Sequence, residues 1–159
     1  MRKAAAGGLE VAADKLGHFW EKAGRVARRR GCYVFGMRHG ETLRIFYVGR
    51  TTDQKFKGEC FRPHKMRIYN KVLARAARRQ AVLIFVTPTE RRGNVATVTR
   101  EIKRIEKWLI NAAYRANPGL MNKQLVKRPA SWRIAGVTPG TPGKTSQVAR
   151  LLRRSLKPR

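Results

Sequence analysis

Acidic side chains are what this chain has least of: nine Asp and Glu stand against 37 Lys and Arg in 159 residues, a net charge of +28. None of the nine lies beyond Glu106. A body so charged repels itself and attracts phosphate, so the sequence predicts a polyanionic partner, nucleic acid ahead of a membrane surface. The plainer alternative is a cationic surface that only confers solubility. Cysteine is scarcer still. Cys32 and Cys60 stand alone, with no CxxC and no paired Cys and His spacing, which argues against a zinc site or a disulfide framework and for two reduced, packed thiols. No apolar run approaches the roughly 18 residues of a spanning helix. MRKAAAGGLEVAADK lacks a secretory apolar core, so the expected setting is the cytoplasm, away from membranes. GTPGKTS fails as a phosphate loop, because Thr138 stands where the spacing requires glycine.

The charges that are present divide the chain in three. Residues 1–30 carry 8 basic and 3 acidic side chains, residues 31–122 carry 19 and 6, and residues 123–159 carry 10 and none. This length and pattern suit an amino-terminal helix over 1–30, a central domain over 31–123 and a basic carboxyl-terminal arm over 124–159. In the first segment Leu9, Ala12, Leu16, Phe19, Trp20, Ala23 and Val26 recur at three-and-four spacing, an amphipathic helix closed by Arg28, Arg29, Arg30 and Gly31. Phe19 and Trp20 read as packing residues. In the last segment Trp132 and Ile134 are expected to fold the chain back onto the core. A short basic helix from Ser146 would follow.

Residues 31–36 and 43–49 flank MRHGE and predict a β-hairpin. If Gly40 centres an odd-numbered loop, residues whose numbers sum to 80 face each other, and Tyr33 and Tyr47 become direct cross-strand partners. Such a pair is ordinarily a packing pair. TTDQKFKGEC then forms a turn-rich connection to a helix opening at Pro63. Met66, Tyr69, Leu73, Ala76 and Ala77 give that helix its apolar stripe, ringed by cations. Arg62 and His64 sit at its amino end, a place that favours phosphate, although a surface arginine and a capping histidine fit equally. AVLIFVT, residues 81–87, is a continuous apolar run suited to the buried central strand of a small sheet. The helix after it ends before Asn117 and Pro118. On it, Glu106 is surrounded at helical spacing by Ile102, Leu109, Ile110 and Ala113, so its carboxylate needs a neutralising arginine or a metal ion. The fold class is α/β: a small three-stranded sheet flanked by helices, with an amino-terminal helix and a basic carboxyl-terminal extension.

Taken in order, these elements resemble the GIY-YIG nuclease family over roughly residues 31–123. The first motif triplet corresponds to Gly31-Cys32-Tyr33 and the second to Tyr47-Val48-Gly49; the later glutamate corresponds to Glu106 in EKWLI and the asparagine to Asn122 in NPGLMNK. Cys32 replaces the usual isoleucine. Lys57 stands ten residues after the second tyrosine, where members often carry an arginine, and Arg62 is taken as its displaced equivalent after a longer loop. Met66 stands where a histidine is expected one turn later, with His64 the nearest substitute.

The resemblance implies a metal-dependent endonuclease that hydrolyses phosphodiester bonds, DNA ahead of RNA. Glu106 would hold one Mg2+ (or Mn2+), completed by water and phosphate oxygens. Arg62 would stabilise the phosphate charge, with His64 standing in for the family's histidine. Tyr33 or Tyr47 would act as general base or orient the water, with a phenol pKa lowered from about 10 by nearby cations. Asn122 would be a supporting hydrogen-bonding residue. Around the site, Arg50, Lys65, Arg67, Lys71 and Arg75 are candidate nucleic-acid contacts. Lys127, Arg128, Arg150, Arg153 and Arg154 are candidates in the carboxyl-terminal arm. The alternative is a nucleic-acid-binding or ribonucleoprotein-associated protein that keeps the fold with little or no catalysis.

Overall fold

The computed structural model describes residues 2–3, 9–10, 19–51, 53–75, 79–88, 94–122, 134–138, 140 and 145–158. Three strands, β3 (Cys32–His39), β4 (Thr42–Arg50) and β5 (Ala81–Val86), form an antiparallel sheet in the order β4-β3-β5. A two-residue ladder pairs β1 (Arg2–Lys3) with β2 (Leu9–Glu10). The helices are α1 (residues 19–23, running into a 3-10 turn at Gly24–Arg28), α2 (Phe56–Glu59), α3 (Pro63–Arg75), α4 (Val95–Ala116) and α5 (Gln147–Ser155). The chain is therefore mixed α/β, with a small three-stranded sheet flanked by helices.

Strand alternation sends Cys32 and Val34 to one side of the sheet and Tyr33, Phe35 and Met37 to the other. The first side is covered by α4 and α5 through Ile102, Ile105, Leu109 and Leu152, giving an aliphatic layer. The second is covered by α1, α2 and α3 through Trp20, Phe56, Tyr69 and Leu73, giving an aromatic layer. Helix α4 is set by its ends as well as its stripe: the Asn94 side chain accepts from the Thr97 N–H at 2.8 Å, and the helix stops at Asn117.

Three expectations are corrected. The amphipathic helix predicted from Leu9 does not begin there, because Leu9–Glu10 lie in β2; residues 11–18 fall outside the described ones. The α-helix over 19–23 gives way at Gly24, whose φ of 55° takes the backbone out of the right-handed region. AVLIFVT is an edge strand, and the centre belongs to β3. Its unbroken apolarity reflects two covered faces, Ile84 and Val86 in the aliphatic layer and Leu83 and Phe85 against the aromatic one, rather than two paired edges.

The hairpin register is the third correction. Its turn is Gly40-Glu41, so His39 pairs with Thr42 and Arg38 with Leu43, and Tyr33 faces Gly49 while Tyr47 faces Phe35. A bulge between Phe35 and Gly36 on one strand leaves Phe46 as the extra residue on the other. Leu43 and Ile45 point into the aliphatic layer, so strict alternation would carry Tyr47 there too. The extra residue flips it into the aromatic layer beside Tyr33 and returns Val48 to the aliphatic one.

The carboxyl-terminal arm carries the short basic helix expected from Ser146, α5 with Ser146 at its N-cap, and from residue 145 it is part of the fold. Leu152 and Leu156 are buried in the aliphatic core, and Ser155 Oγ accepts the Leu43 N–H at 2.6 Å. That contact continues along the outer edge of β4: Asn117 Nδ2 donates to Ile45 O and the Met121 N–H to Phe46 O, both at 2.7 Å. Asn122 accepts from the Val48 N–H at 3.1 Å and donates to the Val48 carbonyl. An edge strand that would otherwise offer open backbone groups is thereby closed by side chains and the Met121 backbone amide.

Candidate active site

Tyr33 and Tyr47 stand in the same layer with ring centroids 6.2 Å apart. They meet diagonally, because the cross-strand partner of Tyr33 is Gly49. A Cβ at Gly49 would fall 2.4 Å from Tyr33 Cζ and 2.5 Å from Tyr33 Oη, so only glycine lets the phenol lie across β4. Lys65 Nζ donates to Tyr47 Oη at 2.6 Å and lies 5.0 Å from the Tyr47 ring centre and 5.7 Å from that of Tyr33.

Lys65 was expected as a solvent-facing phosphate contact, and that reading is corrected: it is buried. It shares the inner face of α3 with Tyr69, Val72 and Leu73, at spacings of four, seven and eight residues. That spacing was available in the sequence as a signal. The buried Glu59 was not, because α2 lies in a segment whose composition reads as loop. Its Oε1 is 3.9 Å from Lys65 Nζ and its Oε2 is 3.4 Å from Arg62 Nε. Arg62 is thus held by Glu59 with its side chain 43% exposed, and His64 is exposed on the first turn of α3. The cation that reaches the tyrosine pair is Lys65 rather than Arg62.

The phenol expectation is also corrected for Tyr33. Burial pushes its pKa well above the ordinary value, and Tyr69, Tyr47, Cys60 and Glu59 push the same way. Its hydroxyl and that of Tyr69 have no hydrogen-bonding partner among the described residues. The Tyr69 phenol and the Cys60 thiol are likewise raised, chiefly by burial. Both cysteines are free and buried, and the Cys32 thiol donates to Ile102 O at 3.3 Å.

Glu106 lies on α4, the helix that covers the side of the sheet opposite the tyrosine pair. Arg50 Nη1 donates to its Oε2 at 2.7 Å, so among the candidate neutralisers of this carboxylate the structure supplies an arginine. Burial nevertheless raises the Glu106 pKa above its ordinary 4.5, opposed by Arg50 and then by Lys65 and Lys107. Asn122 acts on the backbone of Val48, one residue beyond Tyr47.

Of the remaining cations, Arg67, Lys71, Arg75, Arg150, Arg153 and Arg154 are exposed, and Arg154 pairs with Glu41 at the hairpin tip. Lys127 and Arg128 lie outside the described residues, as does Trp132. No helix among the described residues is long and apolar enough to cross a membrane. No protein-family model, curated protein or solved structure matches the chain.

Proposed function

We propose that the chain is a metal-dependent endonuclease of the GIY-YIG kind that hydrolyses phosphodiester bonds in nucleic acid, DNA ahead of RNA. The observation that carries this reading is the Lys65 ammonium 2.6 Å from the Tyr47 phenol oxygen. Among the described residues no three His, Cys, Asp or Glu side chains gather. The protein side of a cation site is then Glu106 alone, one hard oxygen donor whose burial makes an added positive charge welcome. Such a set fits Mg2+ or Mn2+ with its water largely retained, and does not fit zinc. Once bound, the ion would stabilise charge on the phosphate and polarise a water.

The chain's own residues do the rest. The Tyr47 oxygen takes the proton of the attacking water as its own phenolic proton passes to solvent, and negative charge developing on that oxygen falls against the Lys65 ammonium. The water oxygen bonds to phosphorus, the bond to the sugar oxygen breaks, and that oxygen takes a proton from solvent. Arg50, released from Glu106, binds a phosphate oxygen. Tyr33 supports the Tyr47 ring, since its buried phenol is unsuited to hold a charge. Asn122 holds the Val48 backbone and so fixes where Tyr47 projects.

A second reading has its own observation. Because Arg50 already occupies one oxygen of Glu106, the site is self-neutralised, as suits a protein that binds nucleic acid without cutting it. Cleavage of plasmid, oligonucleotide and structured RNA with Mg2+ and with chelator separates the two. Under the first, Tyr47→Phe and Glu106→Gln lower cleavage by orders of magnitude while binding persists. Chelator-insensitive binding with no cleavage of any substrate establishes the second.

A further inference from the structure

The cations outside the site are arranged in a way the functional reading does not use. On α4, Arg100, Lys103, Arg104 and Lys107 follow the one-face spacing of a helix, and all four are exposed. The buried Ile102, Ile105 and Leu109 occupy the opposite face. Neither Glu101 nor Glu106 falls within the cationic stripe. On α3, Arg67, Lys71 and Arg75 form a second exposed stripe at four-residue spacing, opposite the buried Tyr69, Val72 and Leu73. No member of either stripe forms an ion pair among the described residues.

The two helices cover opposite sides of the sheet. Two helix layers of about 10–12 Å each and a sheet between them put the outer stripes roughly 30 Å apart. That is about three Debye lengths at 0.1 M salt, so phosphates on one face scarcely screen charge on the other. A short duplex is stiff, with a persistence length of about 150 base pairs, and does not bend around the body to reach both.

We propose that the protein holds two nucleic-acid segments at once, one against α3 and one against α4, on opposite sides of its sheet. The inference rests on the nucleic-acid part of the functional reading and is independent of cleavage.

The test uses short duplex DNA, about 16 base pairs, in chelator, with donor- and acceptor-labelled duplexes mixed. At about 1.7 Å of axis per phosphate such a duplex offers one face ample charge and remains a rod. The wild-type protein should bind two duplexes per chain and bring the labels together in a particle containing one protein copy, as read by analytical ultracentrifugation and energy transfer. Replacing Arg100, Lys103, Arg104 and Lys107 with Gln, or Arg67, Lys71 and Arg75 with Gln, should each leave one duplex bound and abolish transfer. Each lost phosphate contact removes about 0.9 from the logarithmic salt slope of the affected site. All these side chains are exposed, so thermal melting should match wild type, and the wild-type stoichiometry decides the question without the variants. One duplex per chain, or transfer that requires two protein copies, overturns the proposal. No binding at all overturns it together with the functional reading, whereas one duplex bound, and cut when Mg2+ is added, overturns it alone.

Discussion

On one side of the sheet Val34, Ile45, Val48, Ile102 and Leu109 pack with no buried phenol, ammonium or carboxylate among them; on the other, Tyr33, Tyr47 and Tyr69 share their layer with the buried Lys65 and Glu59. Both layers remove apolar surface from water, worth about 25 cal/mol per Å2. Among the described residues, only the aromatic one also carries two hydroxyls without partners and a lysine in its interior. A buried polar group left unpaired costs about 1–3 kcal/mol, so such an arrangement is costly for stability alone. The difference separates an apolar layer that holds the fold from one that keeps polar groups in its interior, and substitutions on the two sides should behave differently.

The largest effect is expected on the aliphatic side. Leu109→Ala removes a fully buried side chain between α4 and the sheet and should cost about 2–5 kcal/mol of unfolding free energy. Leu152→Ala in α5 should fall in the same range, because that helix belongs to the core. Denaturant melts give the numbers, and nucleic-acid affinity per folded molecule should be unchanged. A Leu152→Ala protein as stable as wild type would show that α5 is a detachable arm after all.

On the aromatic side, two substitutions that each delete one hydroxyl should move in opposite directions. Tyr33→Phe removes a buried group without a partner, so stability should hold or rise by about 1 kcal/mol. Tyr47→Phe removes the acceptor of the Lys65 ammonium, leaving Glu59 at 3.9 Å as its remaining counter-charge, and should cost about 1–3 kcal/mol. Equal shifts in the two melting curves would mean that the Lys65 contact contributes nothing.

How much of this contrast was legible follows from what each feature depends on. Helix α4 was readable because its stripe and its stop at Asn117 are local. The hairpin strands were readable too, but the bulge at Phe46 was not: every residue of RIFYVG suits a strand, and nothing local marks which one goes unpaired. That single residue decides which layer receives Tyr47. The need of Glu106 for a cation could be inferred from its apolar flanks, whereas the choice of Arg50 depended on how α4 lies along β4. The resemblance led to a choice between Lys57 and Arg62 for the displaced arginine, although helical spacing already put Lys65 beside Tyr69.

A smaller effect concerns pH. Burial raises the Glu106 carboxyl above its ordinary 4.5 despite Arg50, so the folded chain binds this proton more tightly than the unfolded one. Between the ordinary value and the raised one the native state carries more protons, and the sign of the linkage is then fixed: stability falls as pH rises through that window and is flat above it. Glu106→Gln has no such proton to lose. Melting temperature followed from about pH 4 to about pH 7 should therefore show less decline in the variant than in wild type. A parallel pair of curves would mean that the Arg50 pairing fully offsets the burial.

The smallest effect is expected where neither layer is involved. Arg154 pairs with Glu41 across the hairpin tip, with the two side chains 52% and 82% exposed. In water an exposed pair gains little over its solvated partners, and holding two long side chains in one geometry takes back part of that gain; measured values lie at about 0–1 kcal/mol and shrink with salt. Arg154→Gln should therefore leave the denaturant midpoint nearly where it was, although Ser155, the next residue in the chain, seals the Leu43 N–H. Ser155→Ala is the control: it strands a buried backbone donor and should cost about 1–3 kcal/mol. If Arg154→Gln proved the more damaging of the two, α5 would be held to β4 by charge rather than by Leu152, Leu156 and the Ser155 hydrogen bond, and the assignment of this helix to the aliphatic core would have to be withdrawn.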